Sequence, residues 1–119
     1  MDRVSEEPTT LVDSLNLEAW KRTLAEPHSA RALAEQAASA ALDAGYRSGA
    51  AMAQLNLAWS EFYLSRLDAA ERAGLQALDL FNETEDIPGL SMAFLCLGSI
   101  SLERGELDRA LEYDMKAVE

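Results

Sequence analysis

The chain has 119 residues, of which 49% are apolar and 26% charged, with 21 acidic against 10 basic side chains and a net charge of −11. That length allows one domain, and that composition describes a folded helical chain rather than a disordered one. The acid excess excludes a protein that works by neutralising nucleic-acid phosphates and disfavours an anionic membrane surface. It is uneven, with a net of −3 over residues 1–50 and −8 over residues 51–119.

Residues 1–8 read as a flexible leader, acidic where a signal peptide needs basic and apolar residues. Thr9 or Thr10 can cap a first helix over residues 9–25, whose apolar content is Leu11, Leu15, Leu17, Trp20 and Leu24. Glu18 on this helix implies a side facing water, because a carboxylate is costly to bury. Glu26-Pro27-His28-Ser29 makes a turn, and an alanine-rich helix follows over 28–44, ended by Gly45 in a left-handed cap. The next helix, 48–64, is apolar nearly all round and so is expected to be buried. After Ser65-Arg66-Leu67, Asp68 is placed to cap a helix over 68–82. Residues 82–86 form a polar joint, Pro88 opens a helix over 88–103, and Arg104-Gly105-Glu106 turns the chain into a last helix over 107–119, capped by Asp108.

The sequence overlays on itself at a shift of 40 residues. Leu15, Leu55 and Leu95 coincide, as do Leu17, Leu57 and Leu97; Ala30, Ala70 and Ala110; and Ala37, Ala77 and Ala117. Asn16 falls on Asn56 and Gly49 on Gly89. Fixed-period self-similarity marks stacked repeat folds. The units run over about 9–47, 48–87 and 88–119, each a pair of antiparallel helices, A then B. The third unit stops inside its helix B without the polar cap that repeat arrays need, so a fragment of something longer is expected.

Leu97-Gly98 within helix A, Gly105 at the turn, and Ala110 with Ala117 in helix B resemble the tetratricopeptide repeat. The period exceeds the family's norm of about 34 residues. Stretched units of this kind are similar to those of bacterial signalling and regulatory proteins. The resemblance implies an all-α, right-handed superhelix of three helix pairs and a cytoplasmic, non-catalytic protein-interaction module. Its partner would be a protein or peptide, with no cofactor, nucleic acid or membrane. In this family helix A lines the concave groove. Carried over, the groove residues are Asn16, Met52, Leu55, Asn56, Trp59, Phe62, Tyr63, Met92, Leu95 and Leu102, with Val12, Leu15, Ala19 and Arg22 in the first unit and Ser99 in the third.

Two readings stay open at this groove. Trp59 and Phe62 either pack internally or meet a partner. Asn16 and Asn56 either bond to a neighbouring helix or form a ladder holding a peptide backbone, as in an extended-repeat receptor for a short signalling peptide. The lysines and arginines that grip a C-terminal carboxylate in chaperone-binding relatives are missing apart from Arg22. The sequence shows no phosphate loop, paired-cysteine motif or catalytic set, and its one histidine and one cysteine do not suggest a metal site. Cys96, among apolar neighbours, is expected to behave as a small hydrophobe. Leu111, Met115 and Val118 make an apolar stripe on the last helix where self-association would occur, giving a homo-oligomer.

Overall fold

A computed structural model describes residues 3–119, with side chains from Pro8 onward. It is all-helical: α1 Arg3–Arg22, α2 Pro27–Ala44, α3 Arg47–Tyr63, α4 Leu67–Glu83, α5 Ile87–Glu103 and α6 Leu107–Ala117. Each helix packs on the next along the chain. Alternate contacts join α1 to α3 and α3 to α5, but none joins α2 to α4 or α4 to α6. The odd-numbered helices therefore form one continuous layer and the even-numbered helices a second, more widely spaced one. The body measures 53 × 30 × 18 Å.

The helix boundaries follow from one repeated local device. Tyr46, Arg66, Asp86 and Glu106 each donate their backbone N–H to the carbonyl five residues back, on Ala41, Glu61, Phe81 and Ser101. The residue before each, Gly45, Ser65, Glu85 or Gly105, has a positive φ of 54–81°. This is a left-handed helix stop recurring every 20 residues, half the repeat period. Gly45 ends α2 as expected.

Capping differs from the sequence-based reading. Asp68 and Asp108 lie in the first turns of α4 and α6, where a carboxylate favours the helix dipole, and neither helix has a side-chain cap bond. Asp86 is a true cap, accepting from the Gly89 N–H at 2.9 Å. The first helix also begins earlier than Thr9. It starts at Arg3 and runs through Pro8, which gives no N–H to the ladder, so residues 3–8 of the expected leader are helical. Met1 and Asp2 lie outside the described residues.

The core lies between α3, α4 and α5, built from Leu55, Ala58, Ala73, Ala77, Phe81, Ala93, Cys96, Leu97 and Ile100. Small residues set the helix spacing. A Cβ on Gly74 would lie 2.9 Å from Leu97, and one on Gly49 would lie 2.6 Å from Val12. Gly98 sits against Asp114 and the Ala110 carbonyl, which is the close helix approach expected of the Leu-Gly pair. Between units, Glu61 is buried with the guanidinium groups of Arg31 and Arg66 at 3.4 and 3.5 Å. Arg104 reaches back to Asp68 at 2.6 Å and to Glu71 at 3.6 Å.

Candidate functional site

The layer formed by α1, α3 and α5 carries two hollows on either side of Trp20. The larger, about 550 Å³, is lined by Asp13, Asn16, Leu17, Trp20, Tyr46, Gly49, Met52, Asp86 and Met92, among others. The smaller, about 290 Å³, lies among Trp20, Thr23, Leu24, Trp59 and Tyr63, with Lys21 beside them. Trp20, 51% exposed, forms a wall of both. Among the described residues no Lys, Arg or His lines the larger hollow.

Its apolar walls come from helix periodicity. Leu17 and Trp20 are three apart on α1, which puts them on one face. Met52 and Met92 occupy the same place one repeat apart near the starts of α3 and α5. The polar side of the hollow is held firmly. The Tyr46 hydroxyl donates to Asp13 Oδ1 at 2.8 Å, tying the α2–α3 turn to α1. That bond, with burial and the nearby charge adding to it, holds the Tyr46 hydroxyl protonated above its ordinary 10.0. The Asp86 carboxylate is fixed by its bond to the Gly89 N–H. Two oriented carboxylates thus stand over an apolar floor beside an indole face, which suits a positively charged group on an apolar stem.

The sequence-predicted residues divide into three groups. Met52 and Met92 line the larger hollow, while Trp59 and Tyr63 line the smaller. Phe62 completes an aromatic group with them: Trp59 and Phe62 meet edge-on with centroids 5.7 Å apart, and Trp59 and Tyr63 stack at 6.1 Å. Trp59 and Phe62 are half-buried and packed against the core, yet Trp59 keeps one edge on the hollow. Leu95 and Leu102 are exposed but line neither hollow.

Leu55 and Asn56 are corrections, while Asn16 keeps a small edge on the larger hollow. Leu55 is fully buried in the core that α5 closes, and Asn56 is fully and Asn16 nearly buried where α1 and α3 approach closely. Asn16 Nδ2 donates to the Gly49 carbonyl at 3.0 Å, and Asn56 Nδ2 donates to the Asn16 carbonyl and Oδ1 at 3.1 and 3.2 Å. The asparagines therefore staple one helix to the next, and Asn56 presents nothing to a ligand. Val12 and Ala19 are buried for the same reason, and Arg22 is engaged by Ser29 and Glu18. Glu18 is half-exposed, as a carboxylate there required.

Trp20, Leu17, Asp13, Tyr46 and Asp86 were not among the sequence-predicted groove residues. A signal for Trp20 exists: at the repeat shift it stands where Ser60 and Ile100 sit buried, a large ring in a place the other units cover. Among the described residues no group of three His, Cys, Asp or Glu side chains is placed to hold a metal. No described helix is long and apolar enough to cross a membrane. No protein-family model matches the chain, and comparison with curated proteins and with solved structures finds no match either.

Proposed function

We propose that this chain is a non-catalytic protein-interaction module, its three helix pairs wound as a right-handed tetratricopeptide-like superhelix of a bacterial regulatory or signalling protein. The 40-residue repetition and the tighter spacing of the α1, α3, α5 layer support the winding, since the closer layer is the inner, concave one. The module docks a peptide segment along that layer. The observation that carries this reading is the larger hollow, which combines Leu17, Trp20, Met52 and Met92 with the carboxylates of Asp13 and Asp86 and, among the described residues, has no basic lining residue. Its size is that of a ligand-binding cleft. The segment it fits places a Lys or Arg between apolar residues, the aliphatic stem on Trp20 and the charge toward the two carboxylates.

A randomised peptide library displayed against the purified chain tests this. Sequences enriched in Lys or Arg beside large apolar residues are expected, with the enrichment lost in Trp20→Ala and the basic preference weakened in Asp13→Asn. Enrichment that survives Trp20→Ala, or selection of acidic peptides, would overturn the assignment.

A further inference from the structure

The two hollows beside Trp20 carry opposite charge. The larger holds the carboxylates of Asp13 and Asp86. The smaller is lined by Trp20, Lys21, Thr23, Leu24, Trp59 and Tyr63, and among the described residues no Asp or Glu lines it. Glu18, one turn back on α1, stands with Arg22 at 4.0 Å, and Lys21 makes no ion pair among the described residues. The Thr23 hydroxyl is engaged within α1, donating to the Ala19 carbonyl at 2.8 Å, so the walls left to a ligand are aromatic and aliphatic. Trp59 and Tyr63 stack at 6.1 Å, and Tyr63 is exposed at the rim. A ring entering there can meet them edge-on or offset, the arrangements aromatic pairs favour. A volume of about 290 Å³ is at the small end of ligand sites and suits one large side chain.

The distance between the hollows follows from the helices. Leu17 and Leu24 on α1, and Met52 and Trp59 on α3, are each seven residues apart, with one of each pair in each hollow. Seven residues of helix rise about 10 Å. Three residues of extended, polyproline-type chain cover about 9 Å and return to the same side. The exposed edge of Trp20 lies between the two hollows.

We infer that the smaller hollow is the second subsite of the same bound segment, a step that rests on the larger hollow being the first. It takes the ring of a Phe or Tyr three residues from the Lys or Arg, with an Asp or Glu beside that ring set against Lys21. The segment is thus charged oppositely at its two ends, as the groove is.

The test is isothermal titration of the whole chain with four short alanine–leucine peptides. The first has a central Lys alone. The second adds Phe three residues on, with Glu next to it. The third has the Phe directly beside the Lys, and the fourth is the second with Lys and Glu exchanged. The second should bind about tenfold more tightly than the first, and the third and fourth no more tightly than the first. Tyr63→Ala should remove most of that gain and Lys21→Gln part of it, while the Lys-only peptide binds as before. Both positions are exposed and lie outside the larger hollow, and circular dichroism checks their fold. No gain from the Phe, an equal gain at either spacing or with the charges exchanged, or a gain that survives Tyr63→Ala would overturn the inference and leave the larger hollow's reading standing. A Lys-only peptide that does not bind would instead remove the larger hollow's reading, and the two-subsite segment with it. Light scattering that shows a dimer lost in Tyr63→Ala would give the smaller hollow to a second copy and overturn the inference.

Discussion

Leu55 and Leu95 hold the same place one repeat apart, yet Leu55 is fully buried beneath α5 and Leu95 is 47% exposed. The difference lies in what covers them and not in their own sequence context. Leu55→Ala should cost about 2–5 kcal/mol, the range for a leucine whose removal leaves a cavity. Leu95→Ala should cost under about 1 kcal/mol, as surface changes do. Urea unfolding of the two variants checks the ratio, and equal losses would show that the α5–α6 end is covered in solution.

Gly89 lies against the ring of Phe81, which is itself 1% exposed and has nowhere to move. Gly89→Ala should therefore destabilise the chain by about 1–3 kcal/mol through overpacking. Gly98→Ala meets first the carboxylate tip of Asp114, an exposed and flexible side chain, and should be milder. Thermal unfolding of both variants gives the order.

Glu85 takes the left-handed conformation at φ 54° without glycine's freedom, at the place where Gly45 and Gly105 stand in the neighbouring turns. A side chain in that region costs roughly 1–2 kcal/mol. Part of this is offset by glycine's greater unfolded-state entropy. Glu85→Gly should raise stability by about 0.5–1 kcal/mol, read as a higher melting temperature. A fall would mean that the Glu85 side chain contributes more than its strain.

Cys96 is buried, and desolvation alone pushes its thiol from 9.0 up to about 12. Between those values the folded chain keeps a proton that the unfolded chain releases, so stability falls as pH rises. The slope approaches about 1.4 kcal/mol per pH unit for this one group. Below pH 9 the group contributes no pH dependence. Urea unfolding of the wild-type chain and Cys96→Ala should show a gap that narrows from pH 9 upward. Tyr46, whose pKa is also raised, is present in both and cancels. A constant gap would show that the thiol ionises freely.

Local punctuation made the helices legible. Gly45 and Gly105 supply left-handed stops, Pro27 and Pro88 sit in first turns, and the alanine and leucine register repeats, so five helices fall within about two residues of their expected bounds. The start of α1 was missed because Thr9 and Thr10 read as caps while the helix continues through Pro8. The site was less legible because exposure is set by neighbours. Asn16 and Asn56 sit on a suitable face, but α1 and α3 approach closely enough to close over them. Trp20 reads as core from its helix alone. It is half open because, among the described residues, α1 touches only α2 and α3. Asp13 and Asp86 gain their role from turns that bring Tyr46 and Gly89 to them.

The larger hollow is proposed as the docking site for a basic-apolar segment. Isothermal titration with two nine-residue peptides tests it directly, both of leucine and alanine, one with a central Lys and the other with a central Glu. Saturable binding of the Lys peptide is expected, reduced by about tenfold in Trp20→Ala, with no binding of the Glu peptide. Equal heats for both peptides, or a Lys-peptide affinity unchanged by Trp20→Ala, would contradict it.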